Sequence, residues 1–352
     1  MKSHTLIVNH SHLDPNWRWL EESFGAPGYD WQHFTSFDQG WLSGDRAPRA
    51  WFARYLAAYK AVRVAEKADR CLFVSHGPRP AFYASWIASM RGQRINPHLV
   101  FSFNFTNLPQ GRRRAQMVEA LRPVDRFAVY SHLEKDLYAD YFGIPTEKID
   151  FVHFGVAPPR IEDSPELPVA RPYVCAIGSQ GRDYALLFEA ARALPAVRFC
   201  VIAYHASIAG LKVPPNVTVL QGVTFDFAAQ VAANAEFMVL PLISESIPCG
   251  HVTAVTAMQV GCPLIATNSI GLHDYLKHGD TAQLVEPRRV DAMVEAIRQG
   301  LDDPAPLLAN AERAKAFALQ NCNEHVTIDY FGRVLAEFEA DGRFAKRFNA
   351  NT

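Results

Sequence analysis

Two short runs in this chain combine glycine with residues suited to holding an anion. In the first, Gly178-Ser-Gln-Gly181 follows the apolar run Tyr173–Ile177 and leads into a helix expected to start near Arg182. Glycines let backbone N–H groups turn toward a phosphate, and an Arg at the rim adds charge and a two-pronged donor. The competing reading is an ordinary strand–helix turn with Arg182 solvated in the first turn. In the second run, Gly250 precedes a helix of small residues, about His251 to Val260, which Gly261 ends. Gly250 permits close approach of a ligand. The first helical turn, His251-Val252-Thr253, offers N–H groups and a positive dipole end. His251 can bond a phosphate or a sugar hydroxyl, and Thr253 can instead serve as a cap. The plain alternative is an unspecialised strand–helix–strand unit. Neither run is GxGxxG, and no acidic residue ends the next strand, which excludes the dinucleotide fingerprint. In the first half, Arg112, Arg113 and Arg114 form a cluster able to clamp a phosphate. There is no Asp-x-Asp metal motif.

Strands and helices alternate along the whole chain, which argues for an α/β protein with parallel sheets. Strands are expected at Thr5–Asn9, Arg70–Ser75, His98–Phe103, Phe127–Ser131 and Lys148–His153. Helices fall at Arg49–Lys67, after the HGPRP run at 76–80 to about Met90, Gln110–Leu121 and Leu133–Phe142. The segment Val156–Arg171 holds four prolines and three acids and reads as a linker. A second series follows: Tyr173–Ile177, Val197–Ala203, Val217–Leu220, Phe237–Leu240, Leu264–Thr267 and Gln283–Val285. Helices at about 289–301 and 304–320 and an amphipathic stretch at 324–340 close the chain.

With 352 residues, 49% hydrophobic and 20% charged, the chain suits two ordinary globular domains. No apolar run approaches the roughly 20 residues needed to cross a bilayer. The N-terminal residues read as a first core strand rather than a signal peptide, which implies a cytoplasmic protein. Six cysteines without paired or CxxC spacing read as buried thiols. The net charge of −1 conceals an uneven distribution: residues 46–126 carry 15 Lys/Arg against 4 Asp/Glu, and all six tryptophans lie within the first 86 residues. Such a basic, Trp-rich half suits an anionic, amphipathic partner such as a membrane face or a lipid-linked phosphate. Core tryptophans and solvated arginines are the alternative. With no recognised motif and a near-neutral balance, a nucleic-acid partner is not expected.

The run from Ala257 to Val285, AMQVGCPLIATNSIGLHDYLKHGDTAQLV, resembles the C-terminal signature of nucleotide-sugar-dependent glycosyltransferases with the GT-B fold, nearest to the retaining family 4 group. Residues 130–156, YSHLEKDLYADYFGIPTEKIDFVHFGV, look like the end of the N-terminal domain in the same group. The resemblance implies two Rossmann-like domains with parallel sheets facing across a cleft, and no metal or other cofactor. It puts an acceptor domain at 1–155, a linker at 156–171, a donor-nucleotide domain at 172–322, and a last helix within 323–352 that crosses back to the first domain.

The same resemblance assigns roles. Arg182, with Gly178 and Gly181, would hold the donor diphosphate, and Cys249, Gly250, His251, Val252 and Thr253 would form the loop and helix start against the donor. Leu220 stands where backbone groups meet the nucleobase. Glu245 best matches the carboxylate placed on donor-sugar hydroxyls, followed by a loop about three residues longer than usual. Thr256 replaces the carboxylate that holds the ribose diol, and a hydroxyl makes only one such bond. Asn104 stands where relatives often place a histidine near the reacting centre; an amide donates to developing charge but is not a base. His76 is a second catalytic candidate, or a satisfied core histidine. The acceptor would meet His10, His12, Asp14, Arg79, Arg112 and Arg113. The expected activity is transfer of a sugar, from UDP more than GDP, to a saccharide or lipid-linked acceptor with retention. Envelope polysaccharide or glycolipid synthesis at the inner membrane face fits this picture. Thr256 and Asn104 favour the alternative of a non-catalytic, nucleotide-sugar-binding regulatory subunit. A nucleotide-sugar epimerase of the same fold would need an acid/base cluster that is not evident.

Overall fold

The computed structural model describes residues 5–11, 18–25, 28–36, 47–95, 97–105, 107–162, 166–167, 169–244 and 248–341. The chain divides into two compact units, Met1–Val152 with Thr327–Thr352, and His153–Val326.

The first unit runs β1 (Thr5–Ser11), α1 (Trp19–Phe24), β2 (Tyr29–Thr35), α2 (Ala47–Lys67), β3 (Cys71–His76), α3 (Pro78–Met90), β4 (His98–Phe101), α4 (Gly111–Leu121), β5 (Arg126–Val129), α5 (His132–Phe142) and β6 (Ile149–Phe151). The strands form one parallel sheet in the order β2-β1-β3-β4-β5-β6. Parallel neighbours need long crossovers, and helices covering the sheet bury it on both faces. Hence β3 and β4 carry the short apolar runs Leu72–Val74 and Leu99–Phe101. Val8, Ala58, Ala61, Val62, Phe73, Ala84 and Ile87 build one core layer, while Val100, Phe103, Phe127, Tyr138 and Phe142 build another. His98 is buried in β4 with Ser75 Oγ 2.8 Å from its Nε2, and burial pushes its pKa down to about 3. It is therefore a neutral core imidazole.

α1 and β2 were not expected from the sequence. β2 is the edge strand, and most of its residues are partly exposed without regular alternation, so the period-two signal of a half-buried strand is missing.

The second unit runs β7 (Val174–Ile177), α6 (Tyr184–Ala193), β8 (Phe199–Ile202), α7 (His205–Ile208), β9 (Val217–Leu220), α8 (Phe225–Ala233), β10 (Met238–Leu240), α9 (His251–Val260), β11 (Leu264–Thr267), β12 (Gln283–Val285), α10 (Val290–Asp302) and α11 (Ala305–Asn321). Its sheet is also parallel, ordered β12-β11-β10-β7-β8-β9. The winding direction reverses between β7 and β10, and in open sheets ligands bind at the carboxyl ends of strands beside such a reversal. In the first sheet the corresponding reversal lies between β1 and β3.

α12 (Glu324–Ala340) starts in the second unit and continues into the first. There Tyr330 donates a hydrogen bond to Asp150 Oδ2 at 2.9 Å, and Phe331 packs edge-on against Phe24 with ring centres 5.1 Å apart. The described part of Val156–Arg171 contains neither helix nor strand. Among the described residues, no helix is long and apolar enough to cross a membrane.

Candidate functional site

The second unit gathers its candidates at the β7/β10 reversal. After β7 the chain turns through Gly178 and Gly181, whose φ angles are 110° and 68°. Both positions are also crowded. A Cβ on Gly178 would lie 2.5 Å from Arg182 Nη2, and one on Gly181 would lie 2.6 Å from Cys249 Sγ. Any other residue at either site would be strained and would displace its neighbour.

Asp183 caps α6 by accepting from Leu186 N–H at 2.9 Å, so the helix begins at Tyr184 and not near Arg182. Arg182 stays outside the helix, pairs with Leu242 as an isolated bridge, and turns its side chain inward to 9% exposure. It is neither a solvated first-turn residue nor a rim residue. Its Nε donates to Ile177 O at 3.1 Å, Nη1 to Gln180 O at 2.7 Å, and Nη2 to the Thr253 hydroxyl at 2.7 Å. All three partners are neutral, and burial lowers the pKa of the guanidinium.

Thr253 lies in the first turn of α9, whose N-cap Gly250 supplies no side-chain acceptor. The buried guanidinium and the positive end of the helix dipole therefore sit together. A fixed cation and the positive end of a helix dipole side by side make this corner favourable for an anion. Every residue of α9 except Val252 and Val260 is buried, between β10, β11, α8 and α11, which explains its lack of an amphipathic pattern.

The neighbouring candidates occupy distinct places. His251 has Nε2 at 2.9 Å from Gly271 O, and burial lowers its pKa to about 4. The imidazole is neutral with its proton on Nε2, so it offers no positive charge to a phosphate. The Thr256 hydroxyl donates to Val252 O at 2.7 Å, one turn back in its own helix. Val252 is exposed, Cys249 is packed against Gly181 with burial raising its thiol pKa, and Leu220 is half-buried at the end of β9. Glu245 lies outside the described residues.

The first unit brings its candidates to the carboxyl edge of its own sheet. His10 lies one residue before the end of β1 beside Ser75, and His76 ends β3, so the two flank the reversal point. Arg79 is exposed in the first turn of α3, and Arg112 and Arg113 are exposed in that of α4. Arg114 differs from the other two: its Nε and Nη2 donate to Tyr141 O, and its guanidinium lies over the Tyr141 ring. His12 and Asp14 lie outside the described residues. Asn104 follows β4 through a turn in which Ser102 takes the uncommon φ of 49° and Asn104 N–H donates to Ser102 O at 2.7 Å.

The side chain of Asn104 leads to a group that the sequence reading passed over. Its Nδ2 donates to Glu134 Oε1 at 2.6 Å. Glu134 is fully buried in the first turn of α5. Its carboxyl also accepts from Tyr138 Oη at 3.3 Å, Tyr130 N–H at 2.8 Å and Ser131 Oγ at 3.3 Å. Burial pushes its pKa up to about 7 against these four bonds, which favour the ionised form. Ser131-x-x-Glu134 was legible as a helix-capping pattern, since Ser131 Oγ accepts from Glu134 N–H. The link to Asn104 was not.

Residues 171–303 match the family model described as glycosyl transferases group 1. Among solved structures, sucrose-phosphate synthase from Thermosynechococcus elongatus is similar at 16% identity and a TM-score of 0.73, covering 96% of this chain and 100% of that one. HepE from Anabaena, in complex with UDP and glucose, is similar at 16% identity and a TM-score of 0.69, with 96% and 100% covered. The lipopolysaccharide outer core galactosyltransferase WaaB gives 15% identity and a TM-score of 0.62, with 94% and 99% covered. At such identities the likeness speaks to fold. No curated protein gives a sequence match. Among the described residues two parallel six-stranded sheets share the GT-B fold of these structures, and residues 171–303 of the second unit form a glycosyl transferases group 1 domain.

Proposed function

We propose that the protein transfers a sugar from a UDP-sugar to a saccharide or lipid-linked acceptor, with retention at the anomeric carbon. The observation that carries the donor half of this reading is the corner formed by Arg182, Thr253 and the uncapped start of α9. A leaving diphosphate gains negative charge as the glycosidic bond breaks, and fixed donors with a helix dipole stabilise that charge without reorganising. HepE, similar in fold, is described in complex with UDP, with UDP and glucose, and with UDP-glucose, which supports UDP over GDP. Retention rests on the resemblance of residues 257–285 to the retaining group.

For the acceptor half, support comes from the carboxyl edge of the first sheet, with His10, His76, Arg79 and Asn104, and from an aromatic row on α2 and α3. Trp51 stacks with Tyr55, Tyr55 meets Trp86, and Trp86 stacks with Phe82, at centroid separations of 6.0, 6.3 and 6.0 Å. Trp51 is 50% exposed, Phe52 44% and Met90 55%, with Arg54 and Arg79 close to Tyr83 in the same region. Exposed rings among cationic side chains suit a lipid-linked, anionic acceptor presented at a membrane face.

Incubation with a panel of UDP- and GDP-sugars, scored for free nucleotide, tests the reading. Slow hydrolysis of one UDP-sugar that disappears in Arg182→Ala is the expected result, and the anomer of a transferred product reports retention. The engaged hydroxyl of Thr256 favours a second reading, a subunit that binds nucleotide-sugars without turning them over. Tight binding with no nucleotide release, even in the presence of a lipid extract, would select it.

A further inference from the structure

We propose that Glu134 is a positioning residue for the transfer reaction: its carboxylate grips one end of the Asn104 amide and so fixes which atoms of that amide face the carboxyl edge of the first sheet. The inference rests on the reading of the protein as a sugar transferase with Asn104 at its reacting centre.

An amide can lie in either of two orientations related by a half-turn, and its partners decide between them. Here the decision is one-sided. Glu134 Oε1 takes Asn104 Nδ2 at 2.6 Å, and an ionised carboxylate can only accept. The amide oxygen and the second N–H of Asn104 are thereby directed away from Glu134. Among the described residues the Asn104 side chain has no other hydrogen-bond partner, so Glu134 alone sets its direction. The main chain is held as well. Ser102, at φ 49°, bonds through its hydroxyl to Tyr130 Oη at 2.5 Å, and Phe105 N–H donates to Tyr138 Oη at 3.1 Å. Tyr130 and Tyr138 both neighbour Glu134 in turn. The turn from 102 to 105 is thus tied at three points to the stretch from Tyr130 to Tyr138, with the Glu134 carboxyl at the centre.

Of the other donors to Glu134, one is main chain and the two hydroxyls each already accept a bond of their own. Tyr130 N–H is a fixed donor. Tyr138 Oη already accepts from Phe105 N–H, and Ser131 Oγ already accepts from Glu134 N–H. Asn104 is the partner free to turn over. When the carboxyl gains a proton, or is replaced by a carboxamide, the amide answers by presenting Oδ1 to the donor it now meets. The outward atoms then interchange, and a donor that faced the reacting sugar becomes an acceptor.

The titratable side chains facing Glu134 are Tyr130 and Tyr138, whose pKa values burial raises to about 12 and beyond. Both stay protonated across the neutral range. A protonation change there belongs to Glu134, whose pKa is near 7.

The test is a double-mutant cycle on the full chain with wild type, E134Q, N104A and E134Q/N104A. Donor hydrolysis is read as separate kcat and KM, and the side-chain amide of Asn104 is followed by nitrogen-15 NMR against pH, assigned by its loss in N104A. We expect E134Q to fold and to bind UDP as the wild type does. Its kcat should fall on the order of ten-fold at unchanged donor KM. In the N104A background E134Q should cause no further loss, because its effect passes through Asn104. The Asn104 amide resonances should titrate near pH 7 in the wild type and be flat in E134Q. An equal loss of kcat in both backgrounds, or an unchanged kcat in folded E134Q, would overturn the proposal. If the wild type releases nucleotide from no donor, the transferase reading fails separately. The amide titration then decides: its absence overturns the link between Glu134 and Asn104, and its presence sustains it.

Discussion

Arg182 and Thr253, 71 residues apart in sequence, meet at 2.7 Å and join the turn after β7 to the first turn of α9. The contact spans the reversal point of the second sheet. It places the buried guanidinium of that corner against a helix start that has no side-chain cap. Replacing Arg182 with Lys keeps a charge but loses the fork that reaches Ile177 O, Gln180 O and Thr253 at once. R182K should weaken UDP binding about ten-fold, the scale of one charge-assisted hydrogen bond, as calorimetry would record. Unchanged affinity would remove Arg182 from the donor site.

Gly178 should be as sensitive as Arg182 although it carries no side chain. Its φ of 110° and the 2.5 Å approach of Arg182 Nη2 mean that G178A strains the backbone and pushes the guanidinium aside. About 1–3 kcal/mol of stability should be lost, together with UDP affinity. Gly210, at φ 79° and with nothing within 4 Å of the place an added methyl would take, is the control. G210A should lower the melting temperature modestly and leave UDP binding alone.

Two buried groups give stability a pH dependence of opposite sign. His251 is held neutral in the fold with its pKa near 4, against an ordinary value of 6.5. Below pH 6.5 the unfolded chain takes up a proton that the folded chain refuses. Stability from this site is therefore present above pH 6.5 and is lost as pH falls toward 4, by about 3 kcal/mol in all. Glu134 behaves in reverse. Its pKa is raised from 4.5 to about 7, so its share is complete below pH 4.5 and is lost as pH rises through 7. Melting curves between pH 4 and 8 should show H251Q losing less stability than wild type on acidification. E134Q should lose less on passing from pH 5 to 8. Parallel curves for wild type and either variant would contradict the corresponding assignment.

The aromatic row on α2 and α3 predicts a salt-sensitive lipid interaction. Wild type should float with vesicles containing a third anionic lipid at low salt, and W51A/W86A should float much less, because each exposed ring contributes apolar area to the interface. UDP binding should be the same in both proteins. Failure of the wild type to float would direct attention to a soluble acceptor.

Much of the architecture was legible because its punctuation is chemical. Gly250, Gly261 and Pro263 bracket α9 and introduce β11, and apolar runs mark the buried parallel strands. The edge strand β2 escaped because a partly exposed strand without alternation has no periodic signature. At the site, residue types were readable but directions were not. Arg182 looked like a helix residue at the rim, yet Asp183 takes the cap and Arg182 turns inward to main-chain carbonyls that no sequence pattern displays. Glu134 drew no role from its sequence context. Its role depends on Asn104, 30 residues earlier, and only the pairing of β4 with β5 brings the two within reach.

α12 sets the order in which the molecule can be completed during synthesis. Phe331 fills a space walled by Phe24, Trp31 and Phe101, all of which leave the ribosome long before it does. Until residues beyond Thr327 emerge, these rings have no lid and Asp150 lacks the Tyr330 hydroxyl. The second unit is contiguous, and so it can close on itself first. The unit translated first is the one finished last.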